Sequence, residues 1–353
     1  MAHRQDQPRR PSIHDVASRA GVSAATVSKV MAGVTTVKRE NAQRVFDAVE
    51  QLGYRVDPLA SDMRRARRRI IGAIMPEFES EFFGQMLTQL ESLAEQRGYT
   101  LVAASSRESE ARETEILARM HDWRVAGVVL APVRNEHGPA AAFMKANGMT
   151  GVLIDRVLSD DAFDTVSADS ASASAEVARE LLGKGHRHVL VVGLGEQAAT
   201  VRARLDGFRA AALRLAPDAR IDVVLAETDV EPLRARLRDY FAKGERPTAV
   251  YSLFLKGTLV ALSEFRRHGW HCPDDISLVG FDDAEWMQAT WPAIAAVVQP
   301  VRQIAGHAMD VLFARIEGKQ GPPTARLEPC RVLMRESVGS PGSGPHSGEG
   351  GRQ

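Results

Sequence analysis

The chain lacks most of the features that announce covalent chemistry or membrane insertion. Its 353 residues include 2 cysteines, Cys272 and Cys330, too few for a disulfide framework and without zinc-type spacing, so two free thiols are expected. There is no G-x-S-x-G, no phosphate-binding G-x-x-x-x-G-K-[ST] and no H-E-x-x-H, which removes the commonest signatures of hydrolases, nucleotidases and zinc proteases. No apolar run approaches the roughly 20 residues of a membrane span, and "MAHRQDQPRR" has no apolar segment behind its charges. The expected address is therefore the cytoplasm. With 44% hydrophobic and 25% charged residues the composition is that of a globular protein of two or three domains.

A net charge of zero hides an asymmetry. Residues 1–70 hold 14 Lys+Arg against 7 Asp+Glu, leaving 31 against 38 in the remainder, so the first fifth of the chain suits a polyanion. This segment is also patterned. In "SIHDVASRAGVSAATVSKVMAG" the residues Ile13, Val16, Ala17 and Ala20 have helical spacing, Ser12 stands as N-cap, Asp15 lies in the first turn and Gly21 ends the helix. Ser23 is a second N-cap before a helix carrying Val27, Val30 and Met31, and Ala17, Val22 and Val27 would fix the angle between the two. A third helix, "KRENAQRVFDAVEQLGY", places Val45, Phe46, Val49 and Leu52 on one face. Small residues at the front of the second helix, Ala24 and Ala25, would allow close approach to another molecule.

Beyond Ile70 short apolar strands alternate with helices: "RIIGAIMP", "YTLVAAS", "VAGVVLAP" and "MTGVLIDR", then "HVLVVGLG", "IDVVLAE", "PTAVYSL" and "ISLVGFDD". Two such series imply two doubly wound α/β subdomains with parallel sheets and a ligand cleft at their strand ends. Gly193, Gly195 and Ala198 form a G-x-G-x-x-A after a strand, but the acidic partner expected about 20 positions on is missing, since the next strand ends at Glu227. The simpler reading is a strand-to-loop turn. His186 with His188, and His268 with His271 and Cys272, are the metal-like clusters, and polar turns explain them better. Asp282 and Asp283, adjacent on an extended segment, point apart, so one ligand-binding Asp is simpler than an acid/base pair. No cofactor and no metal is expected.

The pattern "IHDVASRAGVSAATVSKVM" followed by "RVFDAVEQLGY" resembles the lactose/galactose repressor family of bacterial transcription regulators, and "VLIDR", "LLGKGHRHVLVVG", "RLDGFRAA" and "DDISLVGFDD" extend the resemblance to roughly residues 12–337. It implies an N-terminal all-α helix-turn-helix domain (residues 12–56), a hinge helix and linker (57–70), and a periplasmic-binding-protein-like α/β effector domain (71–338). The first subdomain would comprise about 71–164 plus 295–325, the second about 165–294 plus 326–338. Residues 1–11 and the Gly/Ser-rich 339–353 are expected to be disordered. The helix at Ser23 would enter the major groove, with Ala24 and Ala25 as specificity positions and Thr26, Ser28 and Lys29 facing backbone or base edges. Alanine offers apolar contact, for instance to a thymine methyl, whereas Lys29 can donate to guanine or phosphate. The resemblance counts Ser12, Ser23, Lys38, Tyr54 and Arg64 as further DNA-binding positions, and it puts Met63 where an apolar wedge enters the minor groove. Asp57 replaces a usual asparagine, and the run from Arg64 through Arg65, Arg67, Arg68 and Arg69 suits phosphates.

In the effector domain the resemblance implies that Phe83, Asp155, Arg204 and Asp282 bind a sugar-like effector: a sugar, a sugar acid or a sugar phosphate. Phe254-Leu255 stand in place of a usual Asn-Asp, and Asp169-Ser170 in place of Asp-Asn, so Phe254 becomes a candidate contact while amide donors are lost. The expected protein is a dimeric repressor, or a tetramer of two dimers, acting on double-stranded operator DNA without an enzymatic activity. A sugar-binding protein that does not touch DNA is the alternative, and residues 12–54 argue against it.

Overall fold

The computed structural model describes residues 11–31, 37–53, 69–134, 138–157, 159–195, 199–227 and 229–342. The chain divides into two compact units, residues 1–68 and 69–353. Tyr54, Met63, Arg64 and the rest of the expected hinge lie outside the described residues, as does Ala198 of the glycine motif.

Three helices make up the described part of the first unit: α1 (Ile13–Ala20), α2 (Ala24–Met31) and α3 (Arg39–Leu52). Val16, Ala17, Ala20, Val27, Val30, Val45 and Ala48 form their core, with Ile13, Val22, Ala24, Val49 and Leu52 packed at its margin. Ser12 caps α1 in a reciprocal capping box with Asp15. Gly21 ends the helix at φ 63°, where an added side chain would also strike Arg44. Arg19 donates to Gln51 Oε1 at 2.9 and 2.7 Å, tying α1 to α3. One expectation fails: Phe46 is 51% exposed and Ala48 takes its place in the core. Successive helix residues are rotated by about 100°, so the residue after the fully buried Val45 leaves the packed face.

The second unit holds two six-stranded sheets among the described residues. The first is built from β1 (Ile70–Met75), β2 (Thr100–Ser105), β3 (Gly127–Leu130), β4 (Gly151–Ile154) and β5 (Asp164–Ala168), in the order β2-β1-β3-β4-β5, with Ala325–Glu328 as the outer strand beside β5. The second is built from β6 (His188–Leu194), β7 (Arg220–Ala226), β8 (Ala249–Ser252), β9 (Ser277–Phe281) and β10 (Ala295–Val298), in the order β7-β6-β8-β9-β10, with Arg331–Leu333 outermost. The outer two strands are β11 (Ala325–Glu328), parallel to β5, and β12 (Arg331–Leu333), antiparallel to β10. Residues such as Ile71, Val129 and Val152 on one face and Ile74, Val128 and Leu130 on the other are fully buried, because helices cover both faces of each parallel sheet.

The crossing points between lobes differ from the expected ones. β5 joins the first sheet, so residues 165–168 belong to the first lobe and not the second. β10 joins the second sheet, so 295–298 belong to the second lobe, while β11 carries 326–328 back to the first. Helical spacing and strand length say what a segment is, but pairing partners decide which sheet it enters. After β10 the helix Val301–Ile316 packs Ile304, Ala308, Met309, Leu312 and Phe313 into the first lobe's core beside Phe82, Phe83, Met86 and Leu90.

One buried ion pair secures this crossover. Asp164, 3% exposed at the start of β5, accepts Arg315 Nε at 2.8 Å and Nη2 at 3.1 Å, and Thr324 N and Oγ1 at 2.8 Å each. Burial alone would raise its pKa, but these hydrogen bonds and the Arg315 charge hold the carboxyl below its ordinary value. Asp164→Ala should cost about 3 kcal/mol of the second unit's stability at pH 7. The depressed pKa stabilises the fold above the unfolded value near pH 4 and is lost as pH falls below it, so urea midpoints of variant and parent should converge in acid.

Candidate functional site

On α2 the capping residue Ser23 accepts Thr26 N at 3.1 Å, and its hydroxyl meets Thr26 Oγ1 at 2.9 Å. This leaves Ala25, Ser28 and Lys29 on one helix face at i, i+3 and i+4, with Ala25 and Lys29 exposed and Ser28 half-buried. Ala24 behaves differently: it is half-buried against the three-helix core. Ser12 has its hydroxyl committed to Asp15 Oδ2 at 2.6 Å, and Lys38 is exposed at the start of α3 without a capping bond. The free face of α2 thus carries a small residue that lets a surface come close, beside a mobile cation four residues on.

The second candidate site lies between the two lobes. Asp155 follows the last residue of β4 and Asp282 the last residue of β9, the strands that occupy corresponding places in the two sheets. Both have left-handed backbone, φ 64° and 72°, a conformation that aspartate tolerates better than most residues. Their amides donate to equivalent neighbours, Asp155 N to Val166 O in β5 at 3.2 Å and Asp282 N to Val297 O in β10 at 3.0 Å. Ser167 holds the first turn, its buried hydroxyl lying 2.8 Å from Asp155 O and 2.7 Å from Val157 O.

Arg204 rises from the helix Ala199–Leu215. It is 6% exposed and donates through Nη1 to Leu253 O at 2.6 Å and through Nε to Ser170 Oγ at 3.4 Å, with its guanidinium 3.5 Å from the Phe281 ring centroid. The helix that bears it lies unusually close to Ser170–Gly183 because Gly207 has no side chain; a Cβ there would strike the Ala171 backbone. Burial raises the carboxyls of both Asp155 and Asp282. Arg156 and Arg204 oppose the shift at Asp155, to which Asp282 adds; Arg204 and a hydrogen bond from Gln299 oppose it at Asp282. These are two buried acids sharing a cation, the arrangement expected where a polar ligand replaces water.

An open cavity of about 320 Å³ adjoins this cluster, lined by Phe82, Leu255, Asp282, Val298, Gln299 and neighbouring residues. Phe82 reaches it, whereas Phe83 is 5% exposed and belongs to the first lobe's core. Phe254 is half-buried with its ring over Gly257, and it is Leu255 that faces the cavity. Asp169 caps its own helix by accepting Ser172 N at 3.0 Å, and Ser170 meets Arg204. Gln299 went unrecognised in the sequence. Its Nε2 donates to Asp282 Oδ1 at 2.6 Å while its Oε1 is buried with no partner among the described residues. Its place in "VVQP", directly before the crossing to the first lobe, is the one local signal that marked it.

The other candidates resolve differently. Asp283 turns away from Asp282 to Arg335, 2.6 Å from each carboxylate oxygen. His186 is buried between Thr248 Oγ1 at 2.9 Å and Gly339 O at 3.1 Å. His188, Asp222 and Glu245 have ligand-type atoms within 4.8 Å of one another, but Arg220 lies 2.9 Å from each carboxylate and Tyr240 donates to Asp222 at 2.6 Å, so protein groups already serve them.

Comparison with known proteins agrees with this layout. The family described as bacterial regulatory proteins, lacI family, matches residues 12–57, and a periplasmic binding protein-like domain matches residues 178–338. The HTH-type transcriptional regulator KdgR of Bacillus subtilis is 30% identical over 336 residues, 93% of this chain and 97% of that protein. PtxS of Pseudomonas plecoglossicida, also named an HTH-type transcriptional regulator, is 29% identical over 332 residues, 93% and 96% of the two chains. In fold the chain is similar to the lac repressor dimer bound to operator and the anti-inducer ONPF, with a TM-score of 0.82 at 21% identity over 94% of this chain and 100% of that one. The CelR–cellobiose complex gives a TM-score of 0.70 at 23% identity over 93% and 100%. This chain belongs to the lacI family of bacterial regulatory proteins, as a DNA-binding transcriptional regulator with a helix-turn-helix unit ahead of a periplasmic-binding-protein-like domain.

Proposed function

We propose that the protein is a homodimeric repressor that binds a near-palindromic operator through α2 and answers to a small sugar-like effector held by Asp155, Arg204 and Asp282. The observation that carries this reading is the pairing in one chain of an exposed Ala25–Lys29 helix face with a cleft of two buried carboxylates around a buried guanidinium. A related structure was solved with operator DNA and another with cellobiose, which supports both halves of the reading. We read the chain as a binding protein and not an enzyme, in keeping with relatives named as regulators. Two copies of α2 would occupy successive major grooves, with half-sites about one helical turn or a multiple apart. Insertion of Met63 into the minor groove, and the contacts of Tyr54 and Arg64, rest on the resemblance alone.

Within α2 the roles divide. Ala25 is the exposed specificity position, and Ala24 contributes through packing as much as through contact. Effector and operator are linked reciprocally: whatever factor the ligand imposes on operator affinity, the operator imposes on ligand affinity.

Selection of bound duplexes from a random pool should recover a two-fold-related site for the parent. The variant Ala25→Gln should recover a different base at one position per half-site, a preference change of about 1–3 kcal/mol; an unchanged preference removes Ala25 from the reading face. Lys29→Ala should weaken binding and lower the salt dependence of log K by about 0.9 if it meets a phosphate. Arg204→Ala should leave operator affinity in place while abolishing the response to effector, as read by fluorescence anisotropy of labelled operator with candidate sugars.

A further inference from the structure

We infer that the effector is a neutral, hydroxyl-rich molecule recognised mainly by hydrogen-bond acceptors, and that the cleft discriminates against sugar acids and sugar phosphates. This rests on the effector-site reading above and narrows its ligand class. The first observation is the inventory of unused hydrogen-bonding capacity. Asp155 has no hydrogen bond to its carboxylate among the described residues; its nearest cation, Arg156 Nε, is 4.0 Å away. Asp282 uses Oδ1 for Gln299 and keeps Oδ2 free of protein donors, and Gln299 Oε1 is buried and unpaired. On the donor side, Arg204 has already spent Nη1 on Leu253 O and Nε on Ser170 Oγ, and its face on Phe281. What remains open is therefore three acceptor groups and a single nitrogen, Nη2. A buried acceptor left unpaired is costly, so the complement must bring donors.

The second observation is charge. Cations near the cleft other than Arg204 are neutralised locally: Arg156 makes two hydrogen bonds to Glu108 at 2.7 and 2.6 Å, Lys256 pairs with Glu77 at 3.1 Å, and Arg335 with Asp283 at 2.6 Å. Arg204 thus faces two carboxylates by itself, and Glu81 adds a further acid to the cavity wall. Where a usual Asn-Asp would supply an amide donor, Leu255 presents apolar surface to the cavity. An anionic ligand could reach Arg204 Nη2, but it would bring a like charge against an excess carboxylate. At a separation of about 6 Å and an effective dielectric near 20, that repulsion weakens binding by roughly a hundredfold. A neutral polyol meets no such term and satisfies Asp155, Asp282 and Gln299 at once.

The test is isothermal titration calorimetry of the full chain with sugars matched for shape and differing in charge: D-glucose against D-gluconate and glucose 6-phosphate, and D-galactose against D-galacturonate. The neutral member of any pair that binds should be tighter by about a hundredfold. In Asp155→Asn that ratio should shrink about tenfold, since asparagine accepts the left-handed backbone at 155 and so keeps the turn while removing the charge. Asp282→Asn should shift the ratio in the same direction, which guards against a folding defect at one position. An acid or phosphate that binds the parent more tightly than its neutral partner overturns the inference and leaves the sugar-effector reading standing, as does a ratio unmoved by both variants. If no sugar of either charge binds, the sugar-effector reading itself is overturned.

Discussion

A guanidinium buried between two lobes is the constraint around which the second unit is arranged. Arg204 has no ion pair within 4 Å among the described residues, yet it is 6% exposed, so its charge must be met by something other than a direct carboxylate contact. The Phe281 face, the Leu253 carbonyl and the Ser170 hydroxyl do part of this, and the fields of Asp155 and Asp282 do the rest. Each of these requires a specific feature of the scaffold. The two aspartates sit where parallel strands end and the backbone turns left-handed, and the Arg204 helix approaches its neighbour closely only because residue 207 is glycine. The parallel topology itself supplies the location, since strand C-termini in such sheets converge on one edge where loops and helix starts meet.

Much of this was legible before any coordinates. The three helices of the first unit follow from spacing, caps and Gly21, and eight strands of the second unit are visible as compact apolar runs. Four strands were not. β5 reads Asp-Thr-Val-Ser-Ala, whose polar residues are buried because Asp164 meets Arg315 and Ser167 holds the Asp155 turn, partnerships that no local pattern reveals. β10, β11 and β12 are short, and their pairing with strands far away in sequence sets the lobe boundaries.

The candidate residues divide along the same line. Asp155, Arg204 and Asp282 were named through resemblance, and the structure brings them into one electrostatic neighbourhood. Phe83 was off by one position: rotation of about 100° per residue at the start of a helix is enough to send Phe82 to the cavity and Phe83 to the core. Gln299 carries no signature of its own; its importance comes from a hydrogen bond to a residue 17 positions earlier and from an oxygen that finds no donor. Ala24 and Ala25, identical in type and adjacent in sequence, separate into a packing residue and a surface residue for the same helical reason.

The matched placement of Asp155 and Asp282, each one residue beyond a corresponding strand and each hydrogen-bonded through its amide to the next strand over, gives the cleft an approximate two-fold axis. A pocket with such an axis would accept a ligand equally well in two opposed orientations. Arg204 and Gln299 both come from the second-lobe side, and no counterpart of either faces them across the cleft in the cavity lining. They lift that degeneracy, so the site is handed even though the scaffold that carries it is nearly symmetric.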